Sequence, residues 1–483
     1  MKETDYPLLT DLYQLTMAQG YWQNGKTEEQ ACFHAFFREN PFKGGYAIAC
    51  GMSDIAQMID DYRFSDEDIA YLESIPAPGG GPLFDPAFLE YLRTLELSID
   101  VEAVAEGTVV FPNDPLVRVT GPIMECQLVE TALLNCINFQ TLAATKSARI
   151  CMEAKTPVAE FGLRRAQGQD GGVAASRAAV VGGCASTSNL WAGQIYGIPV
   201  SGTHAHSWVM AFDDELDAFR AYAEAFPTNC TLLVDTYDIE QGVRNAITVG
   251  HEMAARGQRL SAIRIDSGDL SWEAKRARKM LDEAGLPEVG IVLSNDLDEY
   301  TIKSIRDAGA PVTAWGVGTK LATCYDQPAL GCVYKLAAKK RPGKEWEPCV
   351  KVSGMAAKLT VPGVLDVRRY FNENGLLAGD MVFDVNHGVR DETIVDPADE
   401  LRQKNLAGKR WITLLEPLAR NGKSVLPEER RDTMRAQARC KEQLALLDES
   451  QKRILNPHSY PVGLEHALFE RRHDLVARML HLD

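Results

Sequence analysis

The sequence predicts an α/β fold, because short apolar strands alternate with helical patterns through its middle third. Each strand ends in glycine or polar residues, and runs of Val, Ile and Leu are typical of strands buried on both faces of a parallel sheet. The strands are VAEFG (158–162), IPVSGT (198–203), TLLVDT (231–236), SAIRIDSGD (261–269), GIVLSND (290–296) and VTAWGVGT (312–319). This periodicity fits an α/β barrel and an open doubly wound sheet equally well.

The segments on either side of this series predict further domains. A helix after Thr10, a strand at 31–37, helical patterns at 52–75 and 86–95 and short strands at 101–120 predict an N-terminal α+β domain. A long helix then leads into the strand series. The expected division is an N-terminal α+β domain at 1–120 completed by strands from 355–400, a catalytic α/β domain at 121–354, and a charged helical extension at 401–483.

The composition excludes several classes of protein. A net charge of −16 on 483 residues disfavours nucleic acid and anionic membranes as partners, since both bind basic surfaces. The 11 cysteines include no Cys-x-x-Cys pair, so neither a disulfide framework nor a zinc ribbon is predicted. There is no apolar run of about 18 residues and no signal-peptide core. We therefore expect a cytoplasmic protein that holds any phosphate ligand with a local cluster of cations.

The segment EFGLRRAQGQDGG (160–172) places two arginines directly after a strand. Guanidinium groups bind phosphate in a bidentate way, and the glycines allow close approach of the backbone to a ligand. One surface ion pair and one solvated arginine explain Arg164 and Arg165 equally well.

The segment GTHAHSW (202–208) carries two histidines two residues apart at a strand end. His204 and His206 could be a metal pair of the kind found in hydrolases, which would need further ligands at neighbouring strand ends. Alternatively, one histidine acts as a base or nucleophile. A lone histidine would favour a structural role, but a pair in a glycine-led loop favours function.

Carboxylates follow three consecutive strands of the series. Arg264 and Asp266 alternate along one strand and therefore face the same side, where they suit a phosphate with Mg²⁺ or sugar hydroxyls. Asp235 and Asp296 end the neighbouring strands. Asp269, in the same RIDSGD run, is equally well explained as an ordinary helix N-cap.

The short turn GVGTK (316–320) follows the last strand. Its free amides and a threonine hydroxyl could cradle a phosphate monoester, and phosphate sites commonly occupy the last loops of a barrel. A Gly-x-Gly-Thr turn is by itself a weak signal. Neither a Walker loop nor a Gly-x-Gly-x-x-Gly after the first strand is present.

Taken together, these motifs resemble the nicotinate phosphoribosyltransferase family. The resemblance covers most of the chain and depends on the order of the motifs. They are TDLYQLTMAQGYW, EFGLRRAQGQDGG, GTHAHSW, RIDSGDL, SND, GVGT and GCVYKL. The resemblance implies an N-terminal mixed domain joined to an irregular parallel α/β barrel, in a homodimer whose active sites are shared between subunits.

The implied reaction transfers phosphoribosyl from phosphoribosyl pyrophosphate to nicotinate, giving nicotinate mononucleotide and pyrophosphate for NAD biosynthesis. The resemblance further implies Mg²⁺ and coupling to ATP hydrolysis through a transient phosphohistidine at His206. Loss of pyrophosphate creates a departing polyanion and an oxocarbenium-like ribosyl centre. Arginine and Mg²⁺ would stabilise the polyanion, and carboxylates near the ribose would stabilise the cation.

The resemblance also assigns roles to individual residues. At the pyridine ring it implies Tyr13 (from the partner subunit), Phe161 and Arg164, and at nicotinate or the phosphoribosyl group Thr203 and Arg264. At the ribose hydroxyls or metal it implies Asp235, Asp266 and Asp296. At the 5-phosphate it implies Gly316, Gly318 and Thr319. Arg264, Asp266 and His206 are the expected catalytic residues.

The residue at position 204 bears on the choice of substrate. Relatives that use nicotinamide carry an aspartate directly after the Gly-Thr of this loop, whereas this chain has His204. A charged imidazole there would attract the carboxylate of nicotinate, so the acid is the predicted substrate. The alternatives are quinolinate or nicotinamide phosphoribosyl transfer and, from another class, a metal-dependent hydrolase that uses the His-x-His pair.

Overall fold

A computed structural model describes residues 5–352 and 360–480. The chain forms two compact units. Unit one comprises Met1–Leu142 and Ala329–Asp483, and unit two comprises Ala143–Pro328. The catalytic α/β unit therefore begins after the predicted border at 121, and the whole C-terminal part of the chain belongs to the same unit as the N-terminal part.

The N-terminal part alternates helices with antiparallel strands. Many helices begin at a polar cap; for example, Ser65 and Asp68 form a reciprocal capping box at the start of α3. The elements are α1 (Leu12–Gln23), β1 (Gln30–Phe36), β2 (Ala47–Ile48), α2 (Met52–Asp61), α3 (Asp66–Ser74), α4 (Pro86–Arg93), β3 (Asp100–Val104), β4 (Val109–Val110), β5 (Val117–Pro122), α5 (Ile123–Leu128) and α6 (Glu130–Ala154).

Unit two continues from the end of α6 with short buried strands and helices in alternation. Its elements are β6 (Val158–Glu160), α7 (Gln169–Val181), β7 (Ser186–Thr187), α8 (Leu190–Tyr196), α9 (His206–Met210), α10 (Glu215–Ala225), β8 (Cys230–Leu233), α11 (Ile239–Ala255), β9 (Leu260–Ile265), α12 (Leu270–Glu283), β10 (Gly290–Leu293), α13 (Glu299–Asp307), β11 (Ala314–Val317) and α14 (Thr319–Ala322).

The strand order of unit two decides between the two predicted architectures. The parallel sheet runs β7-β6-β11-β10-β9-β8, so the last strand of the series, β11, pairs with the first, β6. An open doubly wound sheet does not return to its first strand in this way. The fold is therefore the expected irregular barrel. Its edge strands are β7 and β8, and the opening between these two edges is the gap of the barrel.

Apolar side chains between sheet and helices form the core of unit two. Ile263 and Ile265 of β9 are fully buried against residues of the helices, such as Phe219 of α10 and Val243 of α11. Arg264 lies between the two isoleucines and consequently points to the opposite face of the strand. The alternation that buries the isoleucines thus directs Arg264 away from them.

The C-terminal part returns to unit one. Its elements are β12 (Val333–Lys340), β13 (Glu347–Pro348), β14 (Leu365–Phe371), β15 (Leu377–Asp384), β16 (Thr393–Asp396), β17 (Asp399–Asn405), β18 (Trp411–Thr413), β19 (Leu415–Arg420), β20 (Lys423–Ser424), α15 (Glu428–Arg431), α16 (Thr433–Ala445), α17 (Glu449–Lys452), β21 (Val462–Glu465) and α18 (His466–Met479).

The strands that complete the N-terminal sheet differ from the predicted ones. The seven-stranded sheet has the order β13-β12-β1-β5-β3-β19-β20, so β12 and β19 join it, while β14 to β17 belong to a separate six-stranded sheet with β18 and β21. The predicted helical extension does contain α16 and α18, but β18, β19 and β20 come before α16, and β21 lies between α16 and α18. β17 and β18 are exposed along their whole length, so they lack the apolar alternation that identifies a strand in sequence.

Two expectations drawn from composition can be compared with the structure. The 11 cysteines, all of them in the described part of the chain, form no disulfide. Among the described residues, no helix is long and apolar enough to span a bilayer.

Candidate active site

Polar side chains meet at the carboxyl ends of the parallel strands in unit two. Arg264 of β9 is the centre of this group. Its Nε donates to Ser294 Oγ at 2.8 Å, its Nη1 to Thr203 Oγ1 at 2.9 Å and its Nη2 to Asp266 Oδ1 at 3.1 Å. Ser294 Oγ also donates to Asp266 Oδ1. The guanidinium thereby fixes three segments of the barrel rim in one arrangement.

Asp235 lies beside this group at the end of β8. Its Oδ2 accepts from the Asp266 backbone N–H at 2.9 Å and from Ser267 Oγ at 2.6 Å. The side chain is fully buried, and its Oδ1 has no hydrogen-bond partner among the described residues. A buried carboxylate oxygen without a partner is costly, so Oδ1 is available for a ligand or a cation.

His206 faces both carboxylates. Its Nε2 lies 4.0 Å from Asp235 Oδ1 and 4.0 Å from Asp266 Oδ2, and 41% of its side chain is exposed. On the other side of the ring, Nδ1 lies 3.2 Å from Thr236 Oγ1. One imidazole nitrogen is thus held by a hydroxyl while the other opens toward two carboxylate oxygens.

His204 is placed differently, and the expectation that it is a charged selector needs correction. It is buried, and its Nε2 accepts a hydrogen bond from the Leu233 backbone N–H at 3.2 Å. Burial lowers the pKa of His204 from its ordinary value of 6.5 to about 4. The imidazole is therefore neutral at neutral pH and does not supply a positive charge to a bound carboxylate.

The same geometry argues against a metal pair. His204 Nε2 is engaged by the backbone and its Nδ1 lies 3.3 Å from the Ala205 carbonyl oxygen. No group of three or more His, Cys, Asp or Glu side chains suited to a metal occurs in the part of the chain that the structure describes. The hydrolase alternative loses the pair of ligands on which it depended.

Phe161 forms an apolar wall next to the arginine. Its ring lies 5.6 Å from the Arg264 guanidinium carbon, and its backbone N–H donates to the Val317 carbonyl at 2.7 Å. A Cβ added to Gly316 would come within 2.6 Å of the Phe161 ring. Glycine at 316 is therefore required for the ring to lie where it does, and the two residues define one surface.

Glu160 fixes the backbone on which Phe161 sits. Its carboxylate is fully buried and accepts from the Gly162 N–H, from Ser176 Oγ at 2.9 Å and from Thr187 Oγ1 at 2.6 Å. These bonds tie the end of β6 to α7 and β7. The position of the aromatic wall thus depends on a buried carboxylate that the sequence analysis did not single out.

The chain was compared with known proteins. Three family-level sequence models match it: the nicotinate phosphoribosyltransferase N-terminal domain at residues 8–138, the nicotinate phosphoribosyltransferase family at 157–353, and the nicotinate phosphoribosyltransferase C-terminal domain at 366–472. The Bacillus subtilis nicotinate phosphoribosyltransferase is 41% identical over 99% of this chain and 97% of its own length.

The chain belongs to the nicotinate phosphoribosyltransferase family. A Caenorhabditis elegans nicotinate phosphoribosyltransferase is 36% identical over 97% of this chain and 93% of its own length. The crystal structure of human nicotinic acid phosphoribosyltransferase superposes with a TM-score of 0.83 at 32% identity, covering 96% of this chain and 99% of the human one. The resemblance seen in the motifs and the predicted fold class are both confirmed.

Within this family member, the remaining candidate residues are spread around the rim. Arg164 and Arg165 are exposed in a short 3₁₀ helix at Leu163–Arg165, and neither forms an ion pair among the described residues. Asp296 is exposed after β10. The structure does not bring these three side chains into the Arg264 group.

The glycine-hydroxyl turn after β11 is held by contacts with neighbouring segments. Thr319 begins α14, and Gly318 lies against the Phe161 carbonyl, where an added Cβ would be 3.2 Å from that oxygen. Lys320, the next residue, forms a 2.7 Å ion pair with Asp298 at the start of α13. The turn is thus held to the neighbouring strand-helix unit.

Asp269 proves to be a helix cap. Its Oδ1 accepts from the Trp272 N–H at 3.1 Å at the start of α12. Asp238 and Asp298 cap α11 and α13 in the same way. Tyr13, the remaining candidate, lies on α1 of unit one with 48% of its surface exposed.

Sequence reasoning missed Ser294, Thr236 and Glu160. Ser294 directly follows the last residue of β10 and Thr236 lies three residues after the last residue of β8, so their place near strand ends was a usable signal. Glu160 could have been found as a charged residue that ends an otherwise apolar strand.

Proposed function

We propose that this protein transfers the phosphoribosyl group of phosphoribosyl pyrophosphate to nicotinate, giving nicotinate mononucleotide and pyrophosphate. The observation that carries the proposal is the juxtaposition of Arg264 and Phe161 at 5.6 Å beside the Asp235–Asp266 pair. A cation, an aromatic wall and two carboxylates at one barrel rim match the needs of a flat anionic nucleophile and a ribosyl cation.

The bond changes follow from this arrangement. The bond between C1 of the ribose and the pyrophosphate oxygen breaks, and its electron pair leaves with pyrophosphate. The pyridine nitrogen donates its lone pair to C1, so no general base is needed. Asp266 and Asp235 would stabilise the positive charge that develops on the ribosyl ring, and Arg264 would orient the reactants.

The carboxylates also fit the predicted Mg²⁺. Asp235 Oδ1 has no hydrogen-bond partner among the described residues, and Asp266 Oδ2 lies on the same side, since both are 4.0 Å from His206 Nε2. Mg²⁺ is commonly held by one or two carboxylates together with substrate phosphates and water. Bound there, it would neutralise the charge of the departing pyrophosphate.

The second part of the proposal is ATP coupling through His206. An imidazole nitrogen attacks the γ-phosphorus of ATP, the bond to the β–γ bridging oxygen breaks, and ADP leaves with that electron pair. Nε2 is the better candidate of the two nitrogens, because Nδ1 is held by Thr236 at 3.2 Å. The phosphoryl group would become a fixed anion beside Asp235 and Asp266, the two residues that would hold Mg²⁺.

Nicotinate is favoured over nicotinamide, but not through a charge on His204. Position 204 carries no carboxylate that could accept from an amide, and His204 itself is buried and neutral. The positive charge next to the aromatic wall belongs to Arg264. We propose that this guanidinium attracts the carboxylate of the acid.

A homodimer with shared sites is supported by an exposed apolar face on α1 and the turn before it. The side chains of this face are between 39% and 53% exposed, and Tyr13 is one of them. They are Leu9, Leu12, Tyr13 and Met17. A second copy of the chain would cover this face and place Tyr13 in the partner's site. The cytoplasmic location stays a prediction.

Incubation with γ-labelled ATP tests the ATP-coupled part. We expect acid-labile, alkali-stable label on the wild-type chain and none on His206→Asn. His251→Asn is the matched control, because His251 lies on α11 with its Nε2 2.9 Å from the Ala284 carbonyl oxygen, outside the Arg264 group. Label retained in His206→Asn would refute the phosphohistidine.

Competition between substrates tests the transfer reaction separately. Nicotinate, nicotinamide and quinolinate are offered with phosphoribosyl pyrophosphate, and the nucleotide products are separated by chromatography. We expect nicotinate mononucleotide as the main product. Turnover of nicotinamide or quinolinate at a comparable rate would contradict the assignment of the acid.

A further inference from the structure

His204 lies within the wall of the barrel, whereas His206 faces its mouth. His204 is 8% exposed, and its ring meets Tyr222 edge to face with centroids 4.6 Å apart. Its Nε2 accepts from the Leu233 N–H at 3.2 Å, so the ring proton is on Nδ1, which lies 3.3 Å from the Ala205 carbonyl oxygen. Both ring nitrogens are therefore used by backbone groups.

This histidine sits in the gap of the parallel sheet. Residues 199–201 run parallel alongside the edge strand β7, where Thr187 N–H donates to the Pro199 carbonyl at 3.0 Å and Ser201 N–H donates to the Thr187 carbonyl at 2.9 Å. At the other edge, Leu233 is the last residue of β8. The Leu233 N–H donates to the His204 imidazole. The imidazole thus stands where a further strand of the sheet would have supplied a backbone carbonyl.

Two contacts connect the histidine loop to the end of β8. The first joins His204 to Leu233, and the second joins His206 Nδ1 to Thr236 Oγ1 at 3.2 Å. The first contact is buried and the second is partly exposed. Because only one residue separates the two histidines, fixing His204 also fixes the backbone that carries His206 opposite Asp235.

We propose that His204 is a positioning residue: by accepting the Leu233 amide in the gap of the barrel, it holds His206 against Asp235 and Asp266 for phosphoryl uptake. The inference deepens the proposed function and rests on phosphorylation of His206. A neutral imidazole is required, because a protonated ring has no lone pair for the amide. Burial supplies this condition at neutral pH.

Two substitutions separate the hydrogen bond from the packing. His204→Phe keeps a ring against Tyr222 and removes the acceptor, while the side-chain carbonyl of His204→Gln restores one. We expect the initial rate of His206 phosphorylation to fall by about tenfold or more in His204→Phe, since small misplacements of a reacting group have effects of this size. His204→Gln should recover most of the rate, and the KM for nicotinate should change little in both.

The outcomes are distinguishable. Equal phosphorylation rates in wild type and His204→Phe would overturn the proposal, as would a shared loss in both variants, which would indicate packing alone. Hydrogen exchange of the Leu233 amide in the wild-type protein supplies a second measurement that needs no folded variant. We expect strong protection, and exchange at the rate of a free amide would overturn the proposal.

If the proposed function itself is wrong, the labelling and exchange measurements give a different set of results. If the wild-type chain takes up no acid-labile phosphate, phosphorylation of His206 is refuted and the proposed role in phosphoryl uptake is refuted with it. A protected Leu233 amide in that case would leave His204 a purely structural closure of the barrel. Label on the wild type together with an unprotected Leu233 amide would refute the positioning role alone.

Discussion

Each unit of the protein contains a cluster of charged side chains, and the two clusters differ in how far their side chains are exposed. In unit one, Arg369 and Asp380 are fully buried and joined by Nε to Oδ1 at 3.0 Å and Nη2 to Oδ2 at 2.6 Å. Arg369 Nη1 donates to the Val109 carbonyl at 2.7 Å, and Tyr460 donates to Asp380 at 2.9 Å. A third fully buried side chain, Asp114, lies with its Oδ2 3.9 Å from Arg369 Nη2, so the whole cluster is closed to solvent.

The cluster of unit two is open. Asp235 Oδ1 is buried without a hydrogen-bond partner among the described residues, and His206 is 41% exposed and faces it at 4.0 Å. Both clusters combine arginine with aspartate at short range. Asp114 of unit one also has a buried oxygen without a hydrogen-bond partner among the described residues, so an unpartnered oxygen alone does not mark a ligand site. The difference teaches that an exposed group facing such an oxygen, more than the residue types, separates a ligand site from a structural ion pair.

Breaking the closed cluster should act on stability. Asp380→Ala removes both short hydrogen bonds to the buried Arg369 and leaves Asp114, 3.9 Å from its Nη2, as the remaining carboxylate. We expect the free energy of unfolding to fall by about 3 kcal/mol. Urea unfolding followed by circular dichroism measures the loss. Turnover per folded molecule should stay near that of the wild type. A loss below about 1 kcal/mol would mean that water or a neighbouring group satisfies Arg369.

Breaking the open cluster should act on catalysis. Asp235→Asn keeps the size of the side chain and removes the charge proposed to hold Mg²⁺, so kcat/KM for phosphoribosyl pyrophosphate should fall by about 10²–10³, or roughly 3–4 kcal/mol. Asp269→Asn is the matched control from the same rim, since asparagine also caps helices. Similar kinetics in the two variants would show that the Asp235 charge has no role.

The two units can also be compared through their buried histidines, whose effect on stability depends on pH. Burial lowers the pKa of His34 in unit one to about 3 and that of His204 in unit two to about 4. Each Nε2 accepts a backbone N–H, from Leu365 at 3.1 Å and from Leu233 at 3.2 Å. The two units thus use the same device, a neutral imidazole as an internal acceptor.

The sign of the pH effect follows from the lowered pKa values. Below pH 6.5 the unfolded chain binds protons at both histidines, whereas the folded chain does not until about pH 4 at His204 and about pH 3 at His34. Stability is therefore fully present above pH 6.5 and falls as the pH decreases, by roughly 3 kcal/mol for His204. Unfolding of wild type and His204→Gln at pH 7.5, 6 and 5 measures it, and equal slopes would contradict the assignment.

The aromatic wall of the open cluster gives the smallest expected effect. In Gly316→Ala the new methyl group would meet the Phe161 ring at 2.6 Å and displace it. We expect the KM for nicotinate to rise by about tenfold, or roughly 1.4 kcal/mol. Gly171→Ala is the control, because an added Cβ at this position of α7 meets nothing within 4 Å. An unchanged KM in Gly316→Ala would show that Phe161 does not contact the pyridine.

Much of the barrel and part of its site could be predicted from local pattern. Apolar strands that end in polar residues located β8 to β11, and alternation along β9 placed Arg264 and Asp266 on one side, where they are 3.1 Å apart. The C-terminal sheet could not be predicted in the same way. Its edge strand β17 is exposed along its whole length, so it carries no apolar period.

The sequence by itself determined the α/β class, the rim that carries the candidate site and, through the order of its motifs, the family. Only the tertiary structure decided between barrel and open sheet, because pairing of β11 with β6 is a non-local contact. It also separated two histidines that look equivalent in the Gly-Thr-His-Ala-His run. His204 is buried and accepts a backbone amide, while His206 opens toward two carboxylates. Burial and hydrogen-bond partners are properties of the folded chain, and no local pattern contains them.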